Sequence, residues 1–283
     1  MVKKLTQKLT NVKESDIYDY YIGKINYYDL SLRYGVSKDT MRKYFKAHGL
    51  LTHTEYQHSL TDHKFFEVYT SDVAYILGLY TADGWIESNR FTIGLNSVDE
   101  EILYRIGYKM SKSYSIYHKK SRINNAGIKT GEITVLGIWS KPICITLERI
   151  NCGKGKTKLE KYFFKNIPNK FKWDFIRGYF DGDGSIYLYG SIVNSKGKRN
   201  NGYKYNNYCF SITSKTFQIL SDIKDFLYME NIKSSIIDDG RHNYRLQVTS
   251  KKNIKVIFNK LYPAELYLKR KYIKFQNIME IPC

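Results

Sequence analysis

The chain has 283 residues, and its 46 lysine and arginine residues outnumber 27 aspartate and glutamate residues, which gives a formal net charge of +19. This charge favours a polyanionic partner, most simply nucleic acid, while a hydrophobic content of 42% excludes a disordered basic tail. The sequence contains neither an apolar run that could span a bilayer nor the apolar stretch of a signal peptide, so we expect a soluble intracellular protein, in the cytoplasm of a bacterial host or in an organelle.

Residues 1–50 predict a group of short helices. The turn at Gly35, Val36 and Ser37 separates two helical segments, and Ser37 is a good N-cap for the second one. The pattern resembles the helix-turn-helix of resolvases and transposases, in which the helix from 37 to 48 would enter the major groove of DNA. The alternative is a helical hairpin with a solvated basic face. The side chains that this helix offers to bases and phosphates are Lys38, Thr40, Arg42, Lys43 and Lys46.

An internal repeat covers most of the remaining chain. Residues 75–86 align with residues 175–186, and the similarity continues into the segments that follow. The segment 51–70 lies between the head and the repeats; it has no clear period and predicts a linker. We therefore predict two homologous repeats, residues 71–168 and residues 173–283.

Each repeat predicts the same order of elements: helix, two strands, helix, two strands, helix. In the first repeat, residues 90–97 alternate as a strand does, and residues 98–110 follow with the apolar spacing of a helix. The second repeat shows the same succession with a longer loop. We predict an α+β fold in which tandem αββαββα domains are related by a pseudo-twofold axis and preceded by a small all-α helix-turn-helix domain.

The apolar helix that opens each repeat, which we call the motif helix, carries small residues four positions apart. Residues at this spacing share one face of a helix, so the two motif helices can pack backbone against backbone. Each motif helix ends in Asp-Gly, and we expect both glycines to adopt the left-handed conformation of a C-terminal cap. The small residues are Gly78, Ala82, Gly178 and Gly182, and the glycines that follow the helices are Gly84 and Gly184.

Asp83 and Asp183 are the last residues of the predicted motif helices. The helix dipole is already negative there and disfavours a carboxylate by about 0.3–1 kcal/mol. Two such carboxylates close together therefore favour a cation, and Mg²⁺ bound by carboxylates and phosphate oxygens is the usual arrangement for phosphodiester hydrolysis. The alternative is a pair of surface Asp-Gly turns, which the matched glycine-containing helices disfavour.

The doubled motif, GLYTADGWI in the first repeat and GYFDGDGSI in the second, resembles the LAGLIDADG homing endonucleases in their monomeric, two-motif form. The resemblance implies that the motif helices form the domain interface and that Asp83 and Asp183 bind the catalytic Mg²⁺ ions. Mn²⁺ or Ca²⁺ would substitute in binding. It also implies that the carbonyl groups of Ala82 and Gly182 are further metal ligands.

The family also places a basic residue near the end of each unit, close to the active site. The repeat alignment offers Lys156 and Lys269 for this catalytic role. Thr81 departs from the motif, because the second repeat has Asp181 at the equivalent position, but this position is not the usual metal ligand. Arg177 is a further variation to which the sequence assigns no role.

The resemblance implies a site-specific double-strand DNA endonuclease, a monomer without an obligate protein partner, that cuts each strand once across the minor groove. The alternative is a non-cleaving DNA-binding regulator or an intron RNA maturase on the same scaffold. The presence of both Asp83 and Asp183 favours the nuclease, because a protein that only binds DNA has no chemical need for them.

Basic residues cluster beside the predicted strands of both repeats. Lysine and arginine supply affinity for phosphates, and polar side chains at alternate strand positions can read base edges. A strand of about eight residues extends about 26 Å, so two sheets side by side would cover about 15–20 base pairs of double-stranded DNA. The alternative for any one residue is a solvated loop. The candidates are Lys119, Lys120, Arg122, Lys129, Lys196, Lys198, Arg199, Lys204, Arg241 and Arg245.

Overall fold

The computed structural model describes residues 12–121, 131–153, 163–193, 203–240 and 243–280. The chain divides into two compact units, each described here by itself. The head unit comprises residues up to Asp62 together with Ser111–Ser113, and the main unit comprises His63–Met110 and the residues from Tyr114 onwards. None of the described helices combines the length and the apolar character that crossing a lipid bilayer requires.

The described part of the head unit consists of short helices around a small apolar cluster. Ser37 caps its helix as predicted, because its side chain accepts a hydrogen bond from the Thr40 amide, and Gly35 turns the chain with a φ of 63°. The cluster is formed by Tyr20, Leu30, Met41 and Phe45. The helices are α1 (Glu14–Tyr21), α2 (Tyr27–Arg33), α3 (Lys38–Ala47) and α4 (His53–Ser59).

Helix α4 lies in the segment for which we predicted a linker. The backbone amide of His53 donates to the Tyr20 hydroxyl at 2.9 Å, and the Gln57 side chain donates to the Tyr21 carbonyl at 2.8 Å. The rings of Tyr21 and Tyr56 stack with centroids 4.3 Å apart. The segment therefore contains a helix that packs on α1. The sequence did not reveal it because α4 has no buried residue and hence no apolar period.

The main unit contains the two repeats, and each has the predicted αββαββα order around a four-stranded antiparallel sheet. The strand order is β1-β2-β4-β3 in the first sheet and β5-β6-β8-β7 in the second. The first repeat contains α5 (Ser71–Asp83), β1 (Gly84–Glu87), β2 (Arg90–Asn96), α6 (Glu100–Met110), β3 (Ser115–Lys119), β4 (Ile133–Trp139) and α7 (Lys141–Arg149). A short helix, α8 (Phe163–Asn166), follows.

The second repeat repeats this order and adds a helix that the sequence analysis did not predict. It contains α9 (Lys172–Asp183), β5 (Gly184–Val193), β6 (Tyr203–Ser214), α10 (Phe217–Met229), β7 (Ser235–Asp238), β8 (Tyr244–Val248), α11 (Lys251–Leu261) and the added helix α12 (Lys269–Glu280). The connection between α11 and α12, residues 262–268, returns the chain to the motif helix α9, where Leu268 is fully buried.

The motif helices α5 and α9 pack backbone against backbone, as the spacing of their small residues predicted. A Cβ atom on Gly78 would lie 2.1 Å from the carbonyl oxygen of Phe175, and one on Gly178 would lie 2.0 Å from the carbonyl oxygen of Tyr75. No side chain larger than glycine can occupy either position without moving backbone. The two contacts have the same form, so the repeats meet about a local twofold axis.

The glycines after the motif helices do not form the left-handed caps that we expected. Gly84 and Gly184 have φ values of −98° and −91° and begin the extended strands β1 and β5. A Cβ atom on Gly84 would lie 2.1 Å from the ring of Tyr80, and one on Gly184 would lie 2.2 Å from the ring of Phe180. Both positions thus require glycine, because the aromatic ring four residues earlier leaves no room for a Cβ atom.

Those two rings begin the hydrophobic core of each repeat. Tyr80 stacks on Phe91 of β2 at 4.9 Å between centroids, and Phe180 stacks on Phe210 of β6 at 4.8 Å. Each motif helix is therefore fixed to its own sheet by one aromatic pair, worth about 0.5–1.5 kcal/mol beyond the area buried. The direction in which each chain leaves its motif helix is set by the same ring.

The close approach of α5 and α9 can be tested by its effect on stability. We expect Gly178→Ala to lower the free energy of unfolding by about 2–3 kcal/mol, because the added methyl group meets backbone that cannot give way. The control Gly240→Ala has a φ of 77° and open space around the Cβ position, so it should cost only about 1 kcal/mol. Urea denaturation measures both. Equal losses in the two variants would contradict the backbone contact.

Candidate active site

The motif helices end side by side, and their last residues are the two predicted metal-binding aspartates. A Cβ atom on Gly182 would lie 2.2 Å from the Cβ of Ala82 and 2.8 Å from Oδ2 of Asp83. The Asp83 carboxylate therefore rests against the end of the opposite helix. Asp83 is half-buried and Asp183 is exposed, so both carboxylates lie where a ligand from solvent can reach them.

The chemistry of these donors fits a hard divalent cation. Two carboxylates stand at helix C-termini, where the helix dipoles add negative charge. Among the described residues no cluster of three or more histidine, cysteine, aspartate or glutamate side chains could hold a metal ion, so the described protein groups would fill only part of a coordination shell. Mg²⁺ is usually bound in this way, with water and phosphate oxygens completing the shell.

A buried lysine, Lys271 of α12, occupies the end of the second motif helix. Its ammonium group donates hydrogen bonds to the carbonyl oxygens of Phe180 at 2.7 Å, Gly182 at 3.0 Å and Gly184 at 2.7 Å. The carbonyl of Gly182, which the resemblance offered as a metal ligand, thus already accepts a bond from this cation. The positive charge thus lies against carbonyl groups at the negative end of the helix dipole, of which that of Phe180 also accepts the Gly184 amide.

The surroundings of Lys271 shift the pKa of its ammonium group in opposite directions. Burial lowers the pKa of the ammonium group from its ordinary 10.5 to about 8. The negative charge of Asp181 opposes this shift, followed by the weaker effects of Asp83 and Asp183. The site therefore holds a cation whose proton is more easily released than that of a surface lysine.

The sequence singled out a different lysine of the same segment. Lys269, which the repeat alignment offered, is exposed at the first position of α12. Lys271 shares the buried face of α12 with Phe275 and Ile278, four and seven residues further on. That helical spacing was the signal that would have selected Lys271. The equivalent candidate of the first repeat, Lys156, lies outside the described residues.

Asp181, on α9, is another buried ionisable group near Lys271. Its Oδ2 accepts hydrogen bonds from the Tyr75 hydroxyl at 2.9 Å and from the Leu268 amide at 2.8 Å. Burial raises the pKa of Asp181 to about 7, while these two bonds and the positive charges of Lys271 and Arg177 oppose the shift. The aspartate thus joins the motif helix of the first repeat to the start of α12.

Arg177, to which the sequence analysis assigned no role, lies one turn before Asp181 and is also buried. Its guanidinium group donates to the carbonyl oxygens of Leu266 at 2.7 Å and Leu261 at 3.0 Å, and to the Asp174 carboxylate at 2.9 Å. It therefore holds the first part of the backbone that leads from α11 to α12. A lone arginine in an apolar helix was the available signal, but its partners are backbone groups that no sequence pattern identifies.

In the main unit, the predicted DNA-binding residues that the structure describes lie on the sheets or directly beside them. Lys119 ends β3, with its ammonium group 5.3 Å from the ring of Trp85, and Lys120 is exposed just beyond it. On β8, Arg245 contacts the Tyr187 hydroxyl at 3.4 Å and Asp239 at 2.8 Å. Only the backbone of Lys204, in β6, is described. The candidates outside the described residues are Arg122, Lys129, Lys196, Lys198, Arg199 and Arg241.

In the head unit, α3 presents the predicted basic residues. Lys38 lies over the ring of Tyr28 at 5.2 Å and Arg42 over the ring of Tyr27 at 5.6 Å. Thr40 is half-buried beside Ser37, and its hydroxyl lies 2.8 Å from the Ser37 hydroxyl. The basic side chains of α3 that are exposed are Lys38, Arg42, Lys43 and Lys46.

Comparison with known proteins identifies this arrangement of helices and sheets. A family model described as LAGLIDADG endonuclease matches residues 176–281. The fold is similar to that of the LAGLIDADG meganuclease I-AabMI bound to uncleaved DNA, with 12% identity, a TM-score of 0.50, and coverage of 75% of this chain and 91% of that chain. Residues 176–281 thus match the LAGLIDADG family, and the fold of the chain is similar to that of a LAGLIDADG meganuclease. The predicted resemblance and fold class are confirmed, and the roles of individual residues stay predictions.

Two curated relatives of this chain come from Methanocaldococcus jannaschii. The uncharacterized protein MJ1054 is 32% identical over 131 residues, and the DNA-directed RNA polymerase subunit Rpo1C is 29% identical over 118 residues. Each match covers 41% of this chain and 13% of the relative. The likeness is therefore confined to a small part of each relative.

The buried ammonium group predicts a pH dependence of stability in metal-free buffer. The folded protein releases the Lys271 proton near pH 8, and the unfolded chain keeps it up to about pH 10.5. Between these values the unfolded state keeps the proton that the folded state has lost, so the contribution of Lys271 to the free energy of unfolding should rise with pH, by up to about 1.4 kcal/mol per unit.

Denaturant titrations from pH 7.5 to 10.5 measure this effect. Lys271→Met should remove the contribution, whereas Lys269→Met, at the exposed position two residues earlier, should retain it. The same slope in the unaltered protein and in Lys271→Met would contradict the burial of the charge.

Proposed function

We propose that this protein is a site-specific DNA endonuclease that hydrolyses both strands of a duplex with a divalent cation, preferably Mg²⁺. The observation that carries the proposal is the pairing of Asp83 and Asp183 at the ends of helices in backbone contact, with the Asp83 carboxylate against Gly182. Two carboxylates held together in this way, beside a net charge of +19, suit the negative phosphates of DNA and the cation that neutralises them.

In this proposal the chain positions the reacting groups, and the metal supplies the activation of water and phosphate. Asp83 and Asp183 hold the cation, with the Ala82 carbonyl as a further ligand. Lys271 places a positive charge beside the same helix end and stabilises the charge that develops on the phosphate. Lys271 takes the role that we expected of Lys269, because only Lys271 reaches the end of the motif helix.

The proposal includes the way in which the DNA is held. The two sheets of one chain present Lys119, Lys120 and Arg245 to a duplex of about 15–20 base pairs, the length that two strands end to end would cover. Support comes from the similar fold of I-AabMI, whose structure holds uncleaved DNA. Because a single chain already contains both motif helices, the protein would act as a monomer.

The aspartates provide the direct test of this function. Asp83→Asn and Asp183→Asn should each abolish double-strand cleavage and leave specific DNA binding intact, because the carboxylates hold the metal and other groups hold the DNA. Incubation with a randomised duplex library and Mg²⁺, followed by sequencing of cut ends, first identifies the target. Cleavage and gel-shift assays on that target then compare the variants.

The controls separate the competing functions. Full cutting by either asparagine variant would remove the aspartates from the mechanism. Specific binding without cutting by the unaltered protein would favour a DNA-binding regulator, and preference for intron RNA over duplex DNA would favour a maturase.

The head unit would extend the contact with DNA through α3, as in a helix-turn-helix. Replacing Arg42, Lys43 and Lys46 together by alanine should weaken binding and reduce the slope of log K against log salt by up to about 2.7, since each phosphate contact contributes about 0.9. The cut position should not move. Lys24→Ala, an exposed lysine of the same unit outside α3, serves as control. An unchanged slope in the triple variant would exclude α3 from DNA binding.

A further inference from the structure

The second repeat fixes the start of its last helix with two charged side chains of α9, and the matching positions of α5 hold Leu77 and Thr81. We propose that Asp181, Arg177 and Tyr75 are positioning residues for Lys271, and that they therefore control the cutting of only one of the two DNA strands. This inference rests on the proposed endonuclease function and adds to it an inequality between the two halves of the active site.

The first step is the attachment of the connection 262–268 to α9. Arg177 bonds the carbonyl groups of Leu261 and Leu266, at 3.0 and 2.7 Å, which bracket the beginning of this connection. Asp181, four residues later on the same helix face, accepts the amide of Leu268 at 2.8 Å, which ends it. Three hydrogen bonds from two buried side chains thus determine the path of the backbone.

The second step leads from Leu268 to Lys271. Leu268 directly precedes α12, and its carbonyl accepts the Tyr272 amide at 3.0 Å, which begins the helix. Lys271 lies three residues after Leu268, within the first turn, so a displacement of Leu268 moves the Lys271 backbone with it. The ammonium group bonds three carbonyl oxygens at 2.7–3.0 Å, a geometry that tolerates little movement.

The third step is the contribution of the first repeat. Tyr75 belongs to α5, and its hydroxyl donates to the same oxygen of Asp181 that accepts the Leu268 amide. The Arg177 guanidinium lies over the Tyr75 ring, 5.1 Å from its centroid. Tyr75 therefore orients both Asp181 and Arg177 across the interface between the motif helices.

Within the described residues, the first repeat does not reproduce this arrangement. The positions that match Arg177 and Asp181 are Leu77 and Thr81. Leu77 has no polar side-chain atom. The Thr81 hydroxyl donates to the Leu77 carbonyl of its own helix at 2.7 Å, and its contact with the connection after α7 is to the sulfur of Cys152 at 3.5 Å, which is a weak hydrogen-bonding group. The residue that matches Tyr75 is Phe175, which lacks a hydroxyl. Because the contacts exist on one side only, their loss should affect one side only.

Stability alone does not account for these buried charges. Within the described residues, Oδ1 of Asp181 and one terminal nitrogen of Arg177 are buried without a hydrogen-bond partner. Incompletely satisfied buried charges cost free energy, and apolar residues of similar size often replace them without loss. The first repeat builds the same helix with leucine and threonine. The charges of the second repeat are thus better explained by the position that they impose on α12.

The test measures the two strand cuts separately, on a duplex labelled differently on each strand. Asp181→Thr, which copies the first repeat, should slow one cut by about tenfold or more and the other less than about twofold, so that duplex nicked on one defined strand accumulates. Tyr75→Phe should act on the same strand with a smaller effect. Thr81→Val, the matched change in the first repeat, should leave both cuts unchanged.

A conservative variant separates position from charge. Both hydrogen bonds go to one oxygen of Asp181, and the amide oxygen of Asp181→Asn can accept the same two bonds. Asp181→Asn should therefore restore the balance of the two cuts to within about twofold of the unaltered protein. If it nicks as strongly as Asp181→Thr, positioning through these bonds is refuted.

A second readout does not depend on cleavage. Hydrogen exchange of the full metal-free chain, followed by mass spectrometry, should show faster exchange at residues 262–272 in Asp181→Thr, and unchanged exchange in Asp181→Asn and in the first repeat. If the unaltered protein cuts neither strand, the proposed function fails, and this readout still decides the positioning. If Asp181→Thr slows both strands equally, or neither, or leaves exchange unchanged, the inference is overturned.

Discussion

The rest of the structure depends on the contact between the backbones of two helices at Gly78 and Gly178. Each glycine leaves room for a carbonyl oxygen of the other helix, which a Cβ atom would approach to within 2.1 Å. Because no side chain separates the helices at these two positions, the helix ends come together, and Asp83 reaches the backbone of the opposite repeat. The same contact orients the two sheets, because Tyr80 and Phe180 attach each helix to its own sheet. Packing thus determines where the chemistry can occur.

Two carboxylates at paired helix ends concentrate negative charge, and in the part of the chain that the structure describes a buried lysine stands beside one of these ends. Lys271 bonds three carbonyl groups around the end of α9, and its ammonium group is desolvated in doing so. A desolvated ammonium group lowers the stability of the folded protein. It also attracts a phosphate more strongly than an exposed lysine does, because charges interact more strongly where water is excluded. The buried lysine therefore reduces folding stability and strengthens the attraction of the site for a phosphate.

The sequence was sufficient for the repeats, for the αββαββα order and for the glycine contact, because each has a period or a spacing that reflects geometry directly. It failed where the outcome depends on neighbours in space. Gly84 and Gly184 are extended because of aromatic rings one turn earlier, and α4 has no buried residue to give it an apolar period. The sequence could have identified Lys271 from the spacing of the buried residues of α12. It could not have identified the partners of Arg177, because backbone carbonyl groups leave no sequence pattern.

The hydrogen bond from Tyr75 to Asp181 joins residues of different repeats, and it bears on how such a chain can be divided. In a symmetric pair made from two copies of the second repeat, each Asp181 would face Phe175 of the other copy, at the place where Tyr75 stands in the intact chain. Phenylalanine offers no hydroxyl, so two buried carboxyl groups would each lack this donor, and two guanidinium groups would share the interior that holds one in the intact chain. The second repeat is thus adapted to a partner unlike itself, and covalent fusion keeps the unlike pair together.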